Sequence, residues 1–100
     1  MTELDLFGSA ELPEKPKVWS VSSLTDRIKK LLEGEVGSVK VSGEVSNFRR
    51  QSSGHCYFSL KDEDAQIQAV LFRGDASRLT FEPQDGDQVV ATGMITVYKP

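Results

Sequence analysis

The sequence predicts an all-β domain preceded by one helix. The chain has 100 residues, a length that fits a single domain. Apolar and polar residues alternate in several short runs, which is the period-two pattern of half-buried strands. Clusters rich in glycine, serine and aspartate separate these runs and indicate turns. We therefore expect a small curled sheet of antiparallel strands that follow one another along the chain.

One amphipathic helix is expected before the strands. Ser22 or Ser23 is the expected N-cap, and Gly34 and Gly37 are expected to end the helix. Its apolar side is formed by residues at helical spacing: Leu24, Ile28, Leu31 and Leu32.

From Val39 the apolar period changes to two, which predicts strands over residues 39–46, 55–61, 66–73 and 88–98. One or two helical turns are expected over 75–79. Gly43 and Gly93 mark positions where a strand bends or another backbone approaches, and this order of elements favours an OB-type barrel. That barrel has five strands, so we expect a fragment, incomplete for lack of its last strand. Its open edge is expected to pair with the N-terminal tail or with a second copy of the chain.

Residues 1–17 are predicted to form a flexible acidic tail, because they contain Pro13 and Pro16 and lack a sustained apolar period. Residues 18–100, the predicted domain, hold ten basic and eleven acidic side chains and are close to neutral. The longest apolar run, residues 69–72, is too short to cross a bilayer, and no signal peptide is recognisable. The single cysteine, Cys56, excludes an internal disulfide and is compatible with a cytoplasmic location.

A positive cluster lies in the predicted turn between the first two strands. Arg49 and Arg50 follow Phe48, and Tyr57 comes just after the turn. If Val45 faces the core, unbroken alternation places Phe48 on the outer side together with Tyr57. Single-stranded nucleic acid requires such rings for base stacking, beside cations for its phosphates. A solvated hairpin tip, or a face that docks another domain or subunit, explains the same residues, so a protein-interaction module stays an alternative.

The sequence has no recognisable catalytic or metal-binding motif. His55 has no carboxylate or serine at triad spacing, and Cys56 is expected to point inward as a small core residue. The acidic run of residues 62–64 lacks the spacing and the glycine of a calcium loop, so we expect a polar turn there. We therefore expect no catalytic residue, no metal and no cofactor in this chain.

Two neighbouring segments carry a resemblance to a known family. Residues 41–48 read VSGEVSNF, and residues 53–62 read SGHCYFSLKD. Together they closely resemble the N-terminal OB-fold region of the exodeoxyribonuclease VII large-subunit family, over about residues 18–100. Cys56 departs from the family, in which a larger apolar residue is common.

The resemblance implies a bacterial, cytoplasmic exonuclease that degrades single-stranded DNA to oligonucleotides and is assembled from one large and several small subunits. In such an enzyme this domain binds DNA and a later region hydrolyses it. An OB domain that binds RNA is a further alternative. We expect the residues at the motif positions and beside them to contact DNA. Phe48 and Tyr57 are expected to stack bases, and Arg49, Arg50 and Lys61 to contact phosphate. Ser53 and His55 are expected to lie beside these residues, and Gly54 to supply a turn conformation.

Overall fold

A computed structural model of the chain describes Thr2, Leu4 and residues 16–97. Most of the predicted acidic tail, and the last residue of the predicted fourth strand, Tyr98, lie outside the described residues. The described part of that strand ends at Met94, earlier than predicted.

The predicted helix is present, and its cap lies earlier than expected. Helix α1 spans Val21–Leu31, and the hydroxyl of Ser20 accepts a hydrogen bond from the backbone N–H of Ser23 at 3.1 Å. Ser20, and neither Ser22 nor Ser23, is therefore the N-cap. A π-helical turn, Leu32–Val36, extends the helix and takes in Gly34. It ends at Gly37, whose φ of 65° lies in the left-handed region.

Four strands form one antiparallel sheet among the described residues. They are β1 (Ser38–Arg50), β2 (Cys56–Lys61), β3 (Gln66–Leu71) and β4 (Gln88–Met94), and their spatial order is β3-β2-β1-β4. A one-turn helix, α2 (Arg73–Ala76), begins two residues before the predicted helical turn and joins β3 to the β4 side of the sheet.

The curled sheet buries a small core on its inner side. Val45, Phe58 and Leu60 are the buried members of this core. β1 runs close to β2 at Gly43, where an added Cβ would stand 3.2 Å from the carbonyl oxygen of Lys61. The predicted close approach is therefore present at Gly43. Half-buried residues complete the core around the three buried ones: Val41, Phe48, Ala69, Leu71, Val89 and Ala91.

The predicted fold class is confirmed, because the structure is a curled, mostly β half-barrel with one N-terminal helix. β3 and β4 are the two edges of the described sheet. Helix α1 buries none of its residues; Leu24, Ile28 and Leu31 are each 40 to 43% exposed. The predicted apolar side of the helix is therefore not part of the core.

Candidate nucleic-acid interface

The outer face of the sheet is set by side-chain alternation along β2. The even-numbered residues of β2 are buried on the inner side, so Tyr57, Ser59 and Lys61 project from the outer side. Residues paired directly across strands share a face. Three cross-strand rows therefore form what we call the outer face: Arg49–Tyr57–Val70, Ser46–Ser59–Gln68 and Glu44–Lys61–Gln66.

The middle row forms a fixed polar floor. The side-chain amide of Gln68 donates to the hydroxyl of Ser59 at 2.9 Å, and Ser59 is only 3% exposed. Ser59 is therefore buried at the centre of the row, whereas Gln68 is exposed at its β3 end and Ser46 is half-buried at its β1 end.

A β-bulge interrupts β1 between the middle row and the Tyr57 row. Two residues of β1, Asn47 and Phe48, oppose the single residue Phe58 of β2. Asn47 has a φ of 55°, a left-handed conformation that asparagine tolerates better than most residues do. The extra residue shifts the alternation by one, so even-numbered residues of β1 face outward before the bulge and inward after it.

The expectation that Phe48 shares a face with Tyr57 is wrong. The ring of Phe48 packs against the buried core, with its centroid 5.9 Å from that of Phe58. It lines a shallow cavity of about 450 Å³ with the connection before β4, residues 82–85. The physical reason is the bulge, because unbroken alternation from Val45 would have turned Phe48 outward.

The connection before β4 holds the bulge from the other side. The backbone N–H of Phe48 donates to Oδ1 of Asp85 at 2.9 Å. The N–H of Val45 donates to the carbonyl of Asp87, and the N–H of Gly86 donates to the carbonyl of Val45, both at 2.8 Å. These bonds fix the backbone of β1 at the point where its pairing with β2 is irregular.

The bulge also separates the two neighbouring arginines. Arg49 lies opposite Tyr57 on the outer face, whereas Arg50 lies opposite the buried Cys56. Nη2 of Arg50 contacts Oε1 of Glu82 at 3.2 Å. Among the described residues, no carboxylate forms an ion pair with Arg49. The expectation that both arginines share the surface of Tyr57 is therefore wrong for Arg50.

Lys61 lies on the outer face at the far end of β2. Its Nζ is 3.4 Å from Oε2 of Glu44, its cross-strand partner, and both side chains are partly exposed. An exposed pair of this kind contributes about 0 to 1 kcal/mol to stability. Glu44 therefore offsets the charge of Lys61 without burying it, and Arg49 is the stronger anion-binding group.

The turn between β1 and β2 is folded onto the start of α2. Gly54 has a φ of 91°, and an added Cβ would stand 2.9 Å from Cγ of Arg73. Nδ1 of His55 accepts a hydrogen bond from the backbone N–H of Arg73 at 2.9 Å, and its ring meets Phe72 edge-on. The hydroxyl of Ser53 accepts from the N–H of His55 at 3.3 Å. These side chains hold the turn against α2.

The acidic turn after β2 is closed by its own side chain. Oδ1 of Asp62 accepts hydrogen bonds from the backbone N–H groups of Asp64 and Ala65, each at 2.9 Å. These two bonds hold the pKa of the Asp62 carboxyl below its usual value. Within residues 16–97, no group of histidine, cysteine and acidic side chains has the geometry of a metal site.

Sequence reasoning did not find the polar floor or the role of Asp85. Ser59 and Gln68 lie on predicted strands, so a prediction of how those strands pair could have placed the two residues side by side. Asp85 is 37 residues from Phe48. Only an aspartate-glycine turn marked its position in the sequence, and such a turn does not show which strand it contacts.

No helix among the described residues has both the length and the apolar character needed to cross a membrane.

Comparison with known proteins agrees with this architecture. A family model described as OB-fold nucleic acid binding domain matches residues 19–100. Proteins named exodeoxyribonuclease 7 large subunit are similar to the chain. That of Enterobacter sp. is 47% identical over 87 residues, and that of Photorhabdus laumondii is 48% identical over 89 residues. These matches cover 87 and 89% of this chain, and the chain spans about a fifth of its relatives, 19 and 20% of their length.

Proposed function

Because the chain belongs to the OB-fold nucleic acid binding domain family, we propose that its outer face binds single-stranded DNA. The observation that carries the proposal is the direct cross-strand pair of Arg49 and Tyr57. An aromatic ring on a sheet surface stacks an unpaired base, and a neighbouring guanidinium contacts the adjoining phosphate. A paired base in a duplex does not offer its flat side to such a ring, so the site favours single strands.

Lys61 extends the proposed contact along β2. It lies four residues beyond Tyr57 on the same face, a distance of about 13 Å along a strand. A strand of DNA that stacks on Tyr57 and follows β2 brings a second phosphate towards the lysine. Glu44 lies beside Lys61 and weakens its attraction for phosphate at low salt.

The other predicted contact residues make contacts that stabilise the fold. Phe48 belongs to the core, Arg50 is held by Glu82, and His55 joins the turn to α2. Ser53 closes the same turn. The proposed contact set on the outer face therefore reduces to Arg49, Tyr57 and Lys61.

We extend the proposal to the longer protein that the relatives represent. Those relatives are named as large subunits of exodeoxyribonuclease 7. In this proposal, the domain holds single-stranded DNA while another part of the longer protein hydrolyses it in the cytoplasm, with small subunits as partners. The sheet edges at β3 and β4 offer backbone groups to a further strand, supplied by the longer protein or exchanged with a second copy of the chain.

A protein-interaction module is the second candidate function, and helix α1 favours it. The side chains of Leu24, Ile28 and Leu31 form an apolar stripe, each is 40 to 43% exposed, and none is fully buried. Apolar stripes of this kind dock into grooves of partner domains. Docking through α1 leaves the outer face of the sheet open, so both functions are compatible in one protein.

Fluorescence anisotropy with labelled oligo-dT tests the proposed DNA contact. Tyr57→Ala should weaken binding about 5- to 150-fold, the equivalent of about 1 to 3 kcal/mol for one stacked base. Phe81→Ala is the control for the loss of an aromatic ring, because Phe81 is 56% exposed and lies outside the outer face, whereas Tyr57 is half-buried. An oligo-U of the same length checks for a preference for RNA. Equal affinity of the wild-type and Tyr57→Ala chains would contradict the proposal.

A further inference from the structure

We propose that Asp85 is a positioning residue for DNA binding: by holding the bulge at Asn47 and Phe48, it keeps Arg49 opposite Tyr57. This inference rests on the proposed function of the outer face. Asp85 acts on binding through its hydrogen bond to the backbone N–H of Phe48. It would not itself contact DNA, because the residues that would do so lie on the other side of the sheet.

The bulge determines whether Arg49 lies on the outer face. If the strand alternated without a bulge, the even-numbered residues of β1 would face outward along its whole length. Arg50 would then take the outer position, and Arg49 would point towards the inner side. Only a bulge between Ser46 and Arg49 brings Arg49 into register with Tyr57. The composition of the outer face therefore depends on the bulge.

The carboxylate of Asp85 holds the bulge. A bulge leaves backbone groups without a partner in the ladder. The N–H of Phe48 is the group concerned here, and Oδ1 of Asp85 accepts its hydrogen bond at 2.9 Å. Asn47 adopts φ 55°, which costs energy for a residue with a Cβ. The carboxylate supplies a bond that offsets this cost.

The turn that contains Asp85 is itself held in place by hydrogen bonds. Gly86 has a φ of 96° and donates to the carbonyl of Val45, and Asp87 accepts from the N–H of Val45. Oδ2 of Asp87 also accepts from the N–H of Gln84 at 2.9 Å. The turn is thus bonded to itself and to β1, which presents the Asp85 carboxylate to the bulge.

The test compares three substitutions of Asp85 by oligo-dT anisotropy, at a temperature well below each unfolding midpoint. Asp85→Ala removes the acceptor and should weaken binding about 2- to 10-fold, the range for one hydrogen bond. Asp85→Asn keeps an acceptor at the same position and should bind as well as wild type or better, since it also removes a negative charge. Asp85→Glu keeps the charge, displaces the carboxylate and should weaken binding; it replaces the alanine variant if that variant is partly unfolded.

A double-mutant cycle separates positioning from a general structural role. In an Arg49→Gln background, Asp85→Ala should lose most of its effect on affinity, because the side chain that Asp85 positions no longer carries the charge that contacts phosphate. Adding Asn47→Gly to Asp85→Ala should restore part of the affinity, since glycine adopts the left-handed conformation without strain. Glu35→Gln controls for the loss of one negative charge at an exposed residue away from this connection and should not weaken binding.

The outcomes distinguish this inference from the proposed function. If Tyr57→Ala weakens binding and all three Asp85 variants bind like wild type, Asp85 is not a positioning residue and the DNA-binding face stands. If Asp85→Ala and Asp85→Asn change affinity equally, the effect is one of charge and the inference is also overturned. If the wild-type chain does not bind oligo-dT, the proposed function fails and this inference fails with it.

Discussion

A single backbone conformation at Asn47 decides which side chains reach the outer face. Its φ of 55° lies where β-branched residues are strongly disfavoured and glycine is not. Arg49, two positions on, then lies opposite Tyr57. The backbone conformation of one asparagine therefore determines which side chains the outer face contains.

Substitution of Asn47 should follow its backbone conformation. Asn47→Val should lower the free energy of unfolding by roughly 1 to 2 kcal/mol, the cost of the left-handed region for a residue with a Cβ. Asn47→Gly should leave it unchanged or slightly raised. Urea denaturation measures both, and Ser42→Val, at an exposed position of β1, is the control for a valine in a regular strand. Equal losses in Asn47→Val and Ser42→Val would contradict the strained conformation.

The titration of Asp62 gives a prediction about pH. Two backbone N–H groups stabilise its carboxylate and hold its pKa below the usual value. A lowered pKa in the folded state means that this stabilisation is present above the ordinary carboxyl pKa and is lost as the pH falls through the folded value. We expect the gap in unfolding midpoint between wild type and Asp62→Asn to shrink between about pH 5 and pH 3.

Asp62→Asn is informative because the amide keeps Oδ1 as an acceptor and does not titrate. Thermal unfolding at a series of pH values gives the two curves. A constant gap from pH 7 to pH 3 would show that the charge of Asp62 has no part in holding the turn.

At the scale of elements, the strands could be predicted and the register of β1 could not. Alternation in β2 is unbroken, so the outward direction of Tyr57 followed from the sequence. In β1 the alternation is correct up to Ser46 and wrong at Phe48, because a bulge intervenes. The bulge is held by Asp85, a contact across 37 residues that no local pattern reveals.

Helix α1 differs from the strands in that none of its residues is fully buried. Its N-cap therefore contributes a larger share of its stability than a cap contributes to a fully packed helix. Ser20→Ala should therefore destabilise the helix by about 0.5 to 2 kcal/mol and lower the helical 13Cα shifts of its first turn. Ser22→Ala is the control, since the hydroxyl of Ser22 contacts Oγ of Ser20 at 3.4 Å but caps no backbone N–H. Loss of helicity in Ser22→Ala with none in Ser20→Ala would contradict the observed cap.

For the molecule as a whole, binding depends on where charge lies and not on its sum. The chain carries a net charge of -3, yet Arg49 on the outer face has no paired carboxylate among the described residues. In the proposed function, a local cation beside a stacking ring allows an acidic protein to bind single-stranded DNA. The half-barrel supplies the rigid sheet on which this arrangement depends.

The most direct test of this account compares two neighbouring residues. Log affinity for oligo-dT is measured against log salt for wild type, Arg49→Gln and Arg50→Gln. Each lost phosphate contact on a single strand lowers the slope by about 0.7. We predict that change for Arg49→Gln and none for Arg50→Gln, because the bulge places only Arg49 beside Tyr57. Equal effects of the two substitutions, or a larger effect of Arg50→Gln, would contradict the account.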